Sequence, residues 1–92
     1  MSTTIHKFEL DLRQRSQELL VFSHHPRVLT VANQRGTPCL WVEVTTDDFL
    51  LGVNYEIHRV GTGFDVPEHC HYIATTLHHE DALVWHWYGR RI

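Results

Sequence analysis

The chain has 92 residues, 42 % of them hydrophobic, and its eight Lys and Arg against eleven Asp and Glu leave a formal charge of −3. That length holds one hydrophobic core, so residues 1–92 are expected to form a single β-rich domain, and enzymes that need separate cofactor and substrate domains are excluded. The basic residues are scattered, which speaks against general nucleic-acid binding. No apolar run nears the about 20 residues of a membrane span, and Met1-Ser2-Thr3-Thr4 does not open a signal peptide, so no membrane contact is expected. Cys39 and Cys70 allow at most one bridge, which fits reduced thiols and a cytoplasmic location. The compositional oddity is histidine, nine in all, whose full protonation would turn −3 into +6.

The dominant period along the chain is two. In Lys7 to Arg13 the apolar Phe8, Leu10 and Leu12 alternate with charged residues, which predicts a strand with one face on a core. The apolar run Leu19-Leu20-Val21-Phe22 is stopped by His24-His25-Pro26 and predicts a buried strand; a helix over Leu12 to Phe22 competes, because Gln, Arg and Glu are good helix formers. Val28 to Gln34 and Pro38 to Thr46 flank Arg35-Gly36-Thr37 and predict a hairpin, with Leu40, Val42 and Val44 on one face and Cys39, Trp41 and Glu43 on the other. Asp47-Asp48 predicts the next turn.

Tyr55 to Val60 predicts a strand that ends at Gly61-Thr62-Gly63. Tyr72 to Leu77 and Leu83 to Tyr88 bracket His78-His79-Glu80-Asp81 and predict a second hairpin. In the last strand Trp85 and Trp87 fall on one face and His86 and Tyr88 on the other, bulky on both sides. The fold expected is all-β, a small sandwich or open barrel of six to seven short antiparallel strands.

His69-Cys70-His71 is the sharpest chemical candidate. An H-x-H pair on a strand turns two imidazoles to one face, the arrangement a divalent metal uses, with Cys70 turned away and Glu80, His86 or His58 available as a third ligand. The plainer reading is a polar loop after Pro67, and no cofactor is expected. His24-His25 and His78-His79 are adjacent pairs whose side chains diverge on an extended chain, and they read as solvated turn histidines.

Nucleophilic catalysis has no motif behind it, and the paired acids at 47–48 and 80–81 suit turn chemistry. No catalytic residue is therefore assigned. Gly61-Thr62-Gly63 beside Arg59 is either an anion-binding nest or, more plainly, a strand corner.

Ile5-His6-Lys7-Phe8, the stretch Gln34-x-Gly36-x-Pro38-x-Leu40-Trp41, Gly61-Thr62-Gly63, Tyr72-Ile73-x-Thr75 and Val84-Trp85-His86 together resemble, in order and over nearly the whole chain, an uncharacterised family of small proteins encoded by bacteriophages and by prophage-like regions of bacterial genomes. The resemblance implies a β-rich accessory protein and carries no activity, cofactor or catalytic residue with it. His69-Cys70-His71 departs from the family's acidic tendency at that place.

The function expected is non-enzymatic. As a homo-oligomer in the cytoplasm of the host cell, the protein would bind a host protein or sequester a small anionic molecule. Trp41, Arg59, Thr62 and Tyr72 would form the binding surface, with Arg59 and the amides around Thr62 receiving the anion and the aromatics stacking. The alternatives are a metal-binding protein or metal-dependent enzyme using His69 and His71, and a minor structural virion component.

Overall fold

A computed structural model of the chain describes residues 2–46 and 51–92, which fold into seven antiparallel strands in two packed sheets, with no helix among them. The strands are β1 (Ser2–Glu9), β2 (Ser16–Phe22), β3 (Arg27–Gln34), β4 (Thr37–Thr46), β5 (Gly52–Gly61), β6 (His71–His78) and β7 (Leu83–Arg91). One sheet has the order β1-β4-β3 and the other β2-β5-β7-β6, a sandwich and not a closed barrel.

The period of two explains the core. Leu40, Val42 and Val44 of β4 are fully buried, and they meet Val21, Val53, Tyr55, Ile57 and Trp87 from the facing sheet. Register makes this consistent, since Val21 pairs with Val53 and so shares its face. The two sheets are tied by polar bonds at opposite edges. Asn33 Nδ2 donates to the Leu77 carbonyl at 2.8 Å, while buried Ser23 Oγ accepts from the Thr45 amide at 2.8 Å and donates to the Thr45 carbonyl at 3.3 Å.

Several boundaries differ from expectation. The alternating segment Lys7 to Arg13 is strand only to Glu9; Leu10 still enters the core, but Asp11 then turns the chain by accepting from the Arg13 amide at 2.9 Å. The segment 16–22 is strand and not helix, because its alternate residues Leu19 and Val21 pack on the core. The β3–β4 connection is the two residues Arg35 and Gly36, with φ of 52° and 80°, the pair of left-handed residues that matches the twist of a tight hairpin. His78 belongs to the strand and is buried, so the second hairpin turns on His79, Glu80 and Asp81, all at positive φ. The expected turn at Asp47-Asp48 lies outside the described residues.

β5 and β6 both run antiparallel to β7, which lies between them, so they are parallel to each other and residues 62–70 must carry the chain back along the sheet. That return places Cys70, just before β6, near the middle of β5.

Candidate functional site

The register fixes what each face presents. Arg59 pairs with Trp87 and Gly61 with Trp85, so Arg59, Trp85 and Trp87 share the inner face of the four-stranded sheet. Tyr88 and His86 pair with His58 and Val60 on the outer face. The expected split of Trp85 and Trp87 from His86 and Tyr88 is thus observed.

Beyond Ser16↔His58, β2 no longer pairs with β5. Only the bond from the Arg59 amide to the Arg15 carbonyl, at 2.9 Å, continues that edge. Residues from both faces are therefore accessible at the end of β5, and a cleft of about 400 Å³ opens there, lined by Arg15, His58, Arg59, Val60, Gly61, Phe64, Asp65, Pro67 and Trp85. The Arg59 guanidinium carbon lies 4.2 Å from the centroid of the Trp85 ring, a cation–π stack on the cleft wall. Its Nε is enclosed and has no hydrogen-bond partner. Phe64, 76 % exposed, stands at the rim beside Gly61, where a Cβ would meet its ring at 3.1 Å.

Gly61-Thr62-Gly63 resolves as a corner. The Phe64 amide donates to the Gly61 carbonyl at 3.1 Å, and Gly63 takes φ 91° at the third position of the turn, as a type II turn requires. Thr62 points to the outer face instead of the cleft. Its hydroxyl bonds His86 Nε2 at 2.9 Å, His86 Nδ1 bonds Thr75 Oγ1 at 3.0 Å, and Thr75 Oγ1 bonds the Tyr72 hydroxyl at 2.8 Å.

The last contact depends on a bulge. Ile73 is the extra residue where the β6–β7 register shifts, so Tyr72 and Thr75 lie on one face although three positions apart. Tyr72 also meets Tyr88 edge-on at 5.6 Å.

Of the four residues expected to form one surface, Thr62 and Tyr72 are thus joined through His86, Arg59 lies on the opposite face, and Trp41 sits on the outer face of the other sheet, in register with Lys7. The aromatic partner of Arg59 is Trp85. The sequence reading missed that partner because pairing between β5 and β7 skips over β6 in chain order.

The His69/His71 pair does not have the strand geometry expected of it. β6 begins only at His71, and His69, exposed and at φ 63°, precedes it in the loop. Cys70 instead comes close to β5. Its thiol, a Glu56 carboxylate oxygen and a His58 ring nitrogen all lie within 4.8 Å of one another, and all three residues are half-buried. His58 Nε2 bonds Glu56 Oε1 at 2.5 Å, and Arg90 Nε donates to the same oxygen at 3.3 Å. These bonds, His58 first and Arg90 second, hold the Glu56 carboxyl below its ordinary range. Burial, and then the Glu56 charge, push the Cys70 thiol up. Glu56 escaped the sequence reading, although E-x-H on a strand is itself a same-face pair.

The described residues thus define an antiparallel two-sheet sandwich with a cationic, aromatic-walled cleft at an open strand edge. Within that class, the chain belongs to the family described as a domain of unknown function (DUF7352), whose model matches residues 1–92. No curated protein and no solved structure matches it.

Proposed function

We propose that the protein binds, without transforming, a small organic anion with a flat apolar body, held in the cleft at the end of β5. The observation that carries this reading is Arg59: a guanidinium stacked on Trp85, with an enclosed Nε that no protein group satisfies. An unpaired enclosed donor costs roughly 1–3 kcal/mol, more when charged, and a carboxylate or phosphate held by the guanidinium would offset that cost. Arg15 and Arg59 outnumber Asp65, the single carboxylate of the lining, so the cleft favours an anion. The exposed Phe64 ring and the Trp85 ring supply flat surface for the apolar part.

The wider setting belongs to the same proposal. A phage or prophage accessory protein, acting in the host-cell cytoplasm as a homo-oligomer, agrees with the resemblance of its motifs. Self-association is supported by Leu20 and Phe22, about half exposed and side by side on the outer face of β2, where they lie over Gly52.

Isothermal titration with nucleoside monophosphates, benzoate and inorganic phosphate tests the cleft. Ring-bearing anions are expected to saturate one site per chain, inorganic phosphate to bind at least tenfold more weakly, and Arg59→Met to weaken the ring-bearing ligands at least tenfold. Wild-type affinity in Arg59→Met, or no saturation by any ring-bearing anion, would overturn the reading. A native mass spectrum of the same preparation reports the oligomer.

A further inference from the structure

We propose that Glu56, His58 and Cys70 form a binding site for one zinc-class divalent cation, on the outer face of the four-stranded sheet. The three donors are of the three kinds zinc accepts, a carboxylate oxygen, an imidazole nitrogen and a thiolate sulfur. Bonds of about 2.0 to 2.3 Å to a tetrahedral ion set its ligands roughly 3.5 Å apart. Donor atoms already within 4.8 Å of one another have to close by little more than about 1 Å to reach that spacing.

The fold explains why they meet. Glu56 and His58 are two apart on β5 and so share a face, while the return of residues 62–70 delivers Cys70 to the same place from β6 across β7. The two strands are separated by most of a crossover, so the ion would clasp β5 to the entrance of β6. Three protein ligands leave a fourth position for water.

Charge and protons balance. Cys70 releases its thiol proton to solvent and binds as thiolate, and with the Glu56 carboxylate it neutralises a doubly charged ion. Glu56 exchanges its bond with His58 for the metal through Oε1, and Arg90, whose Nη2 lies 3.5 Å from Oε2, stays on the other oxygen as an outer partner that orients the carboxylate. His69 and His71 take no part: His69 pairs loosely with the exposed Glu68 at 4.0 Å, and His71 lies in register with Gly89, on the face opposite Cys70.

The test is titration of the reduced full chain with Co²⁺ alone, followed by competition with Zn²⁺. A single equivalent is expected to bring up the near-ultraviolet charge-transfer band of a cobalt–thiolate bond. Cys70→Ser is expected to abolish the band and weaken Zn²⁺ at least tenfold. His58→Gln, which keeps a polar amide beside Glu56, is expected to weaken Zn²⁺ at least tenfold with an unchanged far-ultraviolet spectrum. Cys39→Ser and the double variant His69→Ala/His71→Ala are expected to bind as wild type. No thiolate band in the wild-type chain, a band that survives Cys70→Ser, or one lost in the His69/His71 variant would overturn the assignment. The readout is metal alone, so it stands or falls apart from anion binding in the cleft.

Discussion

Arg59 and Trp85 stand face to face, guanidinium over indole at 4.2 Å, at the one stretch of β5 that β2 leaves uncovered. The stack gains about 0.5–2 kcal/mol, while the unpaired Nε costs a comparable amount, so the pair contributes little net stability. Arg59→Met keeps a long side chain on the indole and removes the unpaired donor. It is therefore expected to leave the urea midpoint within about 1 kcal/mol of wild type, or to raise it. A loss of more than about 2 kcal/mol would show that the guanidinium is a structural group.

The parts of this molecule that were legible in the sequence are those set by alternation over a few residues. Leu40, Val42 and Val44 share a face for that reason, as do Trp85 and Trp87, and all but the half-buried Trp85 are fully buried in the core. What alternation does not carry is which strand lies beside which. The insertion of β7 between β5 and β6 brings Trp85 to Arg59 and Cys70 to Glu56 and His58, contacts that span up to 26 positions between Arg59 and Trp85. A single bulge residue, Ile73, reverses the faces beyond it, so Tyr72 meets Thr75 where a regular strand would part them. His78, one of a pair that reads as solvated from its polar neighbours, is buried because the strand runs one residue further than its apolar run.

Burial of His78 makes folding sensitive to acid. Trp87 Nε1 donates to Thr76 Oγ1 at 2.8 Å, and that hydroxyl bonds His78 Nε2 at 2.7 Å, so the ring sits in a buried polar chain with no charged partner in it. Burial, and then the neighbouring His79, lower the proton affinity of His78 below the ordinary value of 6.5. The unfolded chain consequently binds this proton more readily than the folded one. The stability His78 contributes is fully present above pH about 6.5 and is lost as the pH falls through the lower folded value. Urea unfolding of wild type and His78→Gln at several pH values between 5 and 8 checks this, as an order-of-magnitude window around the free imidazole value. The wild-type midpoint is expected to fall faster on acidification than that of the variant.

The middle of that chain, Thr76, is the costlier place to cut. Thr76→Val preserves shape but leaves the Trp87 indole N–H and the His78 nitrogen buried without partners. Each orphaned group costs roughly 1–3 kcal/mol, so the variant is expected to lose about 2–6 kcal/mol in urea unfolding. Thr76→Ser, which retains the hydroxyl, is expected to lose less than half of that. A loss in Thr76→Ser as large as that in Thr76→Val would show that the methyl group contributes as much as the hydroxyl.

At the opposite edge, the joint between β2 and β4 rests on Ser23, whose hydroxyl both accepts from the Thr45 amide and donates to the Thr45 carbonyl. The carbonyl keeps a second donor, the His24 amide at 3.1 Å, whereas the amide donates to the Ser23 oxygen. Ser23→Ala is thus expected to leave one buried N–H unpaired and to cost about 1–3 kcal/mol, with faster amide exchange at Thr45. Unchanged protection at Thr45 would mean that water or a shifted strand replaces the hydroxyl.

The β3–β4 turn offers a gain in place of a loss. Arg35 and Gly36 both sit at positive φ, and a Cβ on Gly36 would meet nothing within 4 Å, so the only penalty at that position is conformational. Gly36→Ala is expected to cost roughly 1–2 kcal/mol, because an L side chain resists the left-handed region even in open space. Arg35 already bears that strain, and Asn tolerates the same conformation with its short polar side chain. Arg35→Asn, which makes the Asn-Gly pair favoured in two-residue hairpins, is therefore expected to stabilise the protein by roughly 0.5–1 kcal/mol. Thermal unfolding of the two variants reads both signs. A destabilised Arg35→Asn would show that the Arg35 side chain contributes more at the turn than its backbone strain takes away.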